Sequence, residues 1–160
     1  MIIKSKTKLK KIIDQAKNTG KKVLVKKGVF DLIHPGHIFA LEQFKKNADI
    51  VIILIQSDEF TAKKKGKSRP ILCQKQRAEV VAGLKAVDYV FLDKSNSRED
   101  YIKFLNYLKP NILAVTKGDL QKAKEYQSPF WKLKEFPDKK IPGYSTTAII
   151  DLIIKKNKSQ

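Results

Sequence analysis

Apolar positions along the chain fall into two kinds of block. Continuous runs occur at Val23-Leu24-Val25, Ile50-Val51-Ile52-Ile53-Leu54-Ile55, Val90-Phe91-Leu92 and Ile112-Leu113-Ala114-Val115. Runs this short and rich in β-branched residues predict strands buried on both faces, the pattern of a parallel sheet. They place strands over 22–26, 50–55, 88–92 and 111–115, with a weaker fifth over 131–136. Between them, apolar residues recur at helical spacing. Leu9, Ile12, Ile13 and Ala16 mark a helix within 1–20 that ends at Asn18-Thr19-Gly20. Phe39, Ala40 and Phe44 mark one over 36–47, and Ala78, Val81, Ala82 and Leu84 one over 74–85. Ser97 caps a helix over 98–108 that Lys109-Pro110 closes. Residues 120–127 read as helical, and Ser145-Thr146-Thr147 opens a last helix to about Lys155, after which the chain frays. The stretch from Thr61 to Pro70 has no apolar periodicity and predicts a mobile basic loop.

Strands alternating with helices imply an α/β domain with right-handed crossovers. No repeat or interdomain linker interrupts the pattern, so 1–160 reads as a single domain. Within it, 1–20 is a helical extension covering one side of the sheet and 22–155 is the core. Periodicity alone leaves the strand order open.

Composition narrows the class. The 160 residues are 42% hydrophobic and 31% charged, which suits one domain with its own core. The longest apolar run, Ile50 to Ile55, is too short to span a bilayer, and no apolar stretch follows Met1-Ile2-Ile3-Lys4 as in a signal peptide. Cys73 is the single cysteine, so no intrachain disulfide forms; it reads as a small filler. The expectation is a cytoplasmic protein with no membrane partner. The net charge of +18 points to anionic ligands. Only Arg69, Arg77 and Arg98 are arginines, and the lysines are spread over nearly every segment. Dispersed lysines without arginine forks or an aromatic–basic reader motif argue against a dedicated nucleic-acid module, which stays as the rival from another class.

Chemistry concentrates in Lys27-Gly28-Val29-Phe30-Asp31-Leu32-Ile33-His34-Pro35-Gly36-His37. It joins the first strand to a helix, a place where backbone N–H groups and the helix dipole favour an anion. Gly28 lets the backbone approach a ligand with no Cβ in between. His34 and His37, the only histidines, are three apart, so both rings can face one side of a first helical turn. Two such donors suit a polyphosphate on which charge builds. A metal pair or two structural histidines are the competing readings.

These residues also carry a family resemblance. Gly28-Val29-Phe30-Asp31 with His34-Pro35-Gly36-His37 is similar to the GxFD…HxGH signature of the cytidylyltransferase-like nucleotidyltransferases. Ser57-Asp58, Ser68-Arg69-Pro70, Gln76-Arg77, Val87-Asp88 and the stretch Tyr144-Ser145-Thr146-Thr147-Ala148-Ile149-Ile150 extend the likeness over about 22–155. Within the family the chain most resembles the adenylyltransferase domain of ADP-heptose synthases. Glycerol-3-phosphate cytidylyltransferases and FAD synthetases of archaeal type come next. There are departures. Heptose enzymes tend to have Lys-Gly-Gly-Asp where this chain has Thr116-Lys117-Gly118-Asp119. Glycerol-phosphate relatives carry an arginine before the STT, where Lys139 and Lys140 stand here. These bear on the acceptor more than on the reaction.

The resemblance implies a Rossmann-like three-layer fold of about five parallel strands in order 3-2-1-4-5, commonly as a homodimer. It implies nucleotidyl transfer, AMP favoured, from a nucleoside triphosphate to a phosphorylated sugar or polyol. D-glycero-D-manno-heptose 1-phosphate is the favoured acceptor, and Mg²⁺ would be held mainly by the phosphates. His34 and His37 would contact the triphosphate. One of Lys63, Lys64 and Lys65, with Lys64 the nominal choice and the sequence leaving open which, would close over the α-phosphate, and Arg77 would lie near the phosphates. Gly28, Val29, Phe30 and Gly36 would line the nucleotide, with Asp31 bracing the loop. Gly118 and Asp119 would meet base or ribose, and Ser145, Thr146 and Thr147 the β- and γ-phosphates. A nucleotide sensor without turnover is the remaining alternative, and the intact loop with both histidines argues against it.

Overall fold

The computed structural model describes residues 1–116, 120–137 and 145–158, the Lys122 side chain excepted. Six strands, β1 (Ile2–Ile3), β2 (Val23–Gly28), β3 (Ile50–Ile55), β4 (Tyr89–Leu92), β5 (Ile112–Thr116) and β6 (Lys132–Phe136), form one sheet. Their order is β1-β4-β3-β2-β5-β6 and every pairing is parallel. The last five reproduce the expected 3-2-1-4-5 order. The sixth is an addition: Ile2 and Ile3 pair with Val90 and Phe91 at the outer edge. Two apolar residues are too few to give a period, which is why the sequence merges them into the first helix.

The continuous apolar runs are explained by the helices on both faces. In β3, Ile52 and Leu54 enter one core with Val23 and Val25 of β2. That core is closed by α1 (Lys6–Asn18) and α5 (Arg98–Leu108) through Leu9, Ile13, Tyr101, Phe104 and Leu105. Val51, Ile53 and Ile55 point the other way, with Leu24, into a core closed by α2 (Pro35–Asn47) and α4 (Gln74–Ala82) through Leu41, Phe44, Ala78 and Val81. Successive side chains of a strand point to opposite faces, so both faces of β3 must be apolar.

The supposed loop after β3 is in large part a helix, α3 (Asp58–Lys65). Local chemistry outweighs the missing apolar stripe. The Ser57 hydroxyl accepts from the Phe60 N–H at 3.2 Å. Asp58 and Glu59 occupy the first turn and Lys63, Lys64 and Lys65 the last, the arrangement that complements a helix dipole. Gly66, at φ +96°, ends it. Cys73 is not a core filler either: it is exposed at the position preceding α4. The helical segment after β5 is a single turn, α6 (Leu120–Ala123), followed by a 3-10 turn at Lys124–Tyr126. The last helix, α7 (Thr146–Asn157), starts where expected and buries none of its residues.

Candidate active site

The carboxyl end of β2 runs into an irregular loop and then directly into α2. Pro35 takes the first helical position and His34 precedes it, which suits proline because its missing N–H would be unpaired there anyway. The His34 side chain does not cap the helix; its ring lies against that of His37, centroids 3.9 Å apart. The Phe30 ring also packs on His37, centroids 5.3 Å apart. Phe30 holds φ +51°, a left-handed value, and its ring lies beside Gly28 and His37. A Cβ on Gly28 would come within 2.6 Å of that ring. The glycine is therefore required by Phe30 as well as being open to a ligand.

Around these residues lies a cleft of about 360 Å³, lined by Gly28, Val29, Phe30, Gly36 and the two histidines together with Lys26, Lys27 and Thr116. The pKa of His37 falls to about 4; burial is the main cause, the positive field of His34 and Lys65 adds to it, and the Leu32 backbone opposes it. At neutral pH the ring is uncharged.

Two buried polar residues hold the loop. Asp31, 2% exposed, accepts from the backbone N–H of Ile71 at 2.9 Å and Leu72 at 3.0 Å, and from Arg69 Nε at 2.8 Å. Burial works against its charge, but the Leu72 and Ile71 N–H groups and the Arg69 guanidinium outweigh burial and hold its pKa below the usual carboxylate value. Arg77 lines neither this cleft nor the adjoining one around Lys64. It is wholly buried and donates to Leu72 O at 2.9 Å, to Gln56 O and Asp58 Oδ1 at 2.7 and 2.6 Å, and to the Val29 carbonyl. Its helix faces the sheet at that point, so the guanidinium ties together the loops after β2 and β3 from beneath.

The three expected lysines separate. Lys63 turns outward to Glu59 at 2.8 Å, with both side chains more than half exposed. Lys65 contributes to the field at His37. Lys64 enters a second cleft, with its Nζ 4.5 Å from the Phe60 ring. Its pKa is lowered by partial burial and by the nearby positive charges of Lys27 and Arg98.

This second cleft, about 490 Å³, adjoins the first and shares Lys26, Lys27 and Thr116 with it. It opens toward α5 and the turn after α6, where Arg98, Tyr101, Glu125 and Tyr126 form its wall. Lys26 donates to Thr116 Oγ1 at 3.0 Å. Lys27 pairs with Asp93 at 2.7 Å. Sequence reasoning assigned these residues no role, although two lysines ending a buried strand at its carboxyl end mark the edge where open α/β sheets bind ligands.

Ser145, Thr146 and Thr147 open α7, where the Ser145 hydroxyl accepts from the Ala148 N–H at 3.1 Å; they are not among the residues lining either cleft. Gly118 and Asp119 lie outside the described residues, as do Lys117, Lys139, Lys140 and Tyr144.

A family model described as cytidylyltransferase-like matches residues 25–152. The chain is 36% identical over 148 residues to the "Bifunctional protein HldE" of Helicobacter pylori (strain HPAG1), covering 91% of this chain and 30% of that protein. It is 36% identical over 153 residues to the protein of the same name from Hahella chejuensis, covering 92% and 31%. The chain thus spans about a third of the length of these curated relatives. Among solved structures, a lipopolysaccharide core biosynthesis protein from Thermoplasma volcanium superposes with TM-score 0.61 at 26% identity, covering 76% of this chain and 99% of that one. A pantoate-beta-alanine ligase from Francisella tularensis shares the fold, with TM-score 0.66 at 18% identity over 92% and 71% of the two chains. With the family signature at the strand–helix junction and the match running over most of its length, the chain belongs to the cytidylyltransferase-like family of nucleotidyltransferases.

Proposed function

We propose that this chain transfers AMP from ATP to a sugar phosphate, with D-glycero-D-manno-heptose 1-phosphate as the acceptor. The observation that carries the reading is the pair of adjacent imidazoles, His37 uncharged, beside Gly28 in the first cleft. An acceptor phosphate oxygen attacks the α-phosphorus. The new P–O bond forms as the bond from that phosphorus to the α,β-bridging oxygen breaks, and its electron pair leaves with pyrophosphate. No protein nucleophile and no general base are needed, because the attacking oxygen is already ionised. Catalysis is then positioning and charge stabilisation. His34 and His37 donate to triphosphate oxygens, Val29, Phe30 and Gly36 shape the seat, and Ser145, Thr146 and Thr147 receive the outer phosphates. Gly118 and Asp119 meet the nucleoside. Lys64 approaches the α-phosphate, with Lys65 adding positive potential.

Among the described residues no three His, Cys, Asp or Glu side chains converge as a metal cradle. Asp31, Asp58 and Asp93 near the site already serve protein donors. These residues fit a Mg²⁺ carried by the nucleotide, whose chemistry is to neutralise phosphate charge in flight. The same reading places the protein in the cytoplasm; among the described residues no helix is long and apolar enough to cross a membrane. It also includes a homodimer, for which the exposed Leu152, Ile153 and Ile154 of α7 offer apolar surface.

The test is a pyrophosphate-release screen of ATP and CTP with Mg²⁺ against heptose 1-phosphate, glycerol 3-phosphate and FMN. Release with ATP and heptose 1-phosphate above the other pairs is expected. No release with any pair would overturn the assignment.

A further inference from the structure

We propose that Lys27 is an acceptor-phosphate ligand, and that Asp93, Tyr101 and Phe60 exist around it to hold its ammonium at the seam between the two clefts. The inference deepens the adenylyl-transfer reading and rests on it for the identity of the acceptor.

The placement follows from the pleat of β2. Val23 and Val25 enter the core under α1 and α5, while Leu24 enters the one under α2. Lys27 continues the Val25 face, so its stem leaves the sheet toward α5, at the edge shared by both clefts. Its Nζ lies 4.4 Å from the centre of the Tyr101 ring and 5.0 Å from that of Phe60. The Asp93 carboxylate meets it at 2.7 Å, and the two side chains are only 10% and 2% exposed. Asp93 is itself fixed: its Oδ1 accepts from the Ser95 hydroxyl at 2.7 Å and from the Ser95 N–H at 3.1 Å.

A buried ion pair is a poor device for stability alone. Desolvating two charges costs several kcal/mol, and apolar replacements of similar volume often do as well. Here the pair is built at a cleft wall, an ammonium has three donors, and Asp93 Oδ2, though 2.7 Å away, accepts no hydrogen bond from it. Lys64 and Arg98 line the same cleft, and Lys64 is close enough to Lys27 for repulsion to lower its pKa. Lys26, Lys27, Lys64 and Arg98, with Asp93 and Glu125 as counter-charges among the described residues, form a site that a dianion would relax. Tyr101 and Tyr126 supply flat walls suited to the C–H faces of a sugar ring, and Glu125 supplies a hydroxyl acceptor.

Reaction geometry selects the acceptor as the occupant. In-line displacement places the attacking and leaving oxygens on opposite sides of the phosphorus. The histidines draw the pyrophosphate end toward α2. The nucleophile must then arrive from the far side of the β2 terminus, which is where Lys27 and its cleft lie. Lys26, on the α2 face of the same strand end, is turned to Thr116, so the two neighbouring lysines serve opposite sides of the seam.

The experiment compares wild type with Lys27→Met and with Lys27→Met/Asp93→Asn. The single variant strands a buried carboxylate and is expected to lower the melting temperature. The double variant removes both charges and is expected to recover it. Calorimetry with heptose 1-phosphate and glycerol 3-phosphate, in the presence of an unreactive ATP analogue, should show about ten- to a hundredfold weaker acceptor binding in both variants. Affinity for the ATP analogue alone should stay within about twofold. In any acceptor assay that turns over, KM for the acceptor rises more than kcat falls. Acceptor binding that returns in the double variant would show a merely structural pair and overturn the proposal. So would equal loss of ATP affinity, or a wild-type protein that binds neither phosphomonoester. Lysine-dependent binding of a phosphomonoester without turnover would keep the subsite and reject the adenylyl-transfer reading instead.

Discussion

Protonation of His37 should cost the fold stability in a defined pH window. The ring titrates near 4 in the folded chain against 6.5 for an ordinary histidine, so the unfolded chain binds the proton more readily. Stability is then full above pH 6.5, falls as pH drops through the interval, and levels off below about 4. The full span of the shift corresponds to about 3 kcal/mol, and the part lost between pH 7 and pH 5 to about 2 kcal/mol. The groups responsible are the apolar surroundings of the ring, His34 and Lys65, with the Leu32 backbone opposing them. The assay is urea unfolding at pH 7 and pH 5 for wild type and His37→Asn. Carboxylates protonating over the same range affect both proteins, so the difference between them isolates the imidazole. Wild type should lose about 2 kcal/mol more than the variant. An equal loss would mean that the ring is solvated and charged at pH 5, and the account of an uncharged donor in the first cleft would fail. A polyphosphate should oppose the effect, because its negative charge favours the protonated ring; a His37 titration followed by NMR should move upward on adding ATP.

Other outcomes follow from the same geometry. His37→Ala should cut turnover by about a hundred- to a thousandfold, as loss of a transition-state donor does, with the melting temperature at pH 7 little changed; unchanged turnover would remove the ring from the chemistry. Arg77→Met should lose about 3–5 kcal/mol in denaturant unfolding, because Asp58 and three carbonyls lose a buried cation; a loss near zero would contradict the bracing role. Gly28→Ala should cost about 1–3 kcal/mol through its 2.6 Å approach to Phe30, and Phe30→Leu in the same chain should recover part of it. Lys63→Ala should leave kcat within about twofold while Lys64→Ala lowers it, since an exposed pair such as Lys63–Glu59 contributes little; equal effects would mean that helix α3 turns in the working enzyme.

The sheet was legible because its signal is local and redundant. Each residue of β3 is apolar, and only a strand covered on both sides tolerates that. The histidine seat was legible for a similar reason: strand end, glycine, proline at the helix start and both imidazoles lie within one short segment. What escaped the sequence depends on distant partners or on weak local signals. Nothing near Arg77 says that its guanidinium will be enclosed by Val29, Gln56 and Leu72; an arginine on an amphipathic helix reads the same whether it faces a ligand or the underside of a loop. Lys63, Lys64 and Lys65 are identical in type, and only the turn of α3 sends one to Glu59, one to Phe60 and one toward His37. The helix itself was hidden because its support is a serine cap and end-matched charges rather than an apolar stripe.

The position of the basic residues bears on why the chain is so positively charged. If the charge of +18 served a nucleic acid, the cations would be expected on an exposed face, free of protein partners. Several of those nearest the sheet terminus are instead drawn inward. Lys27 is 10% exposed against Asp93, Arg69 is 10% exposed against Asp31, and Arg77 has no exposure at all. Burial of that kind costs desolvation and gives nothing to a mobile polyanion on the surface. Arg69 and Arg77 brace the loops from within, and Lys27, which lines a cleft, suits a small, highly charged ligand that meets a cation already held in place. A filter-binding titration with duplex DNA separates the two. Lysines scattered over the surface give weak binding that vanishes by about physiological salt, whereas ATP binding in the cleft persists there; tight DNA binding that outlasts ATP binding as salt rises would reverse the conclusion.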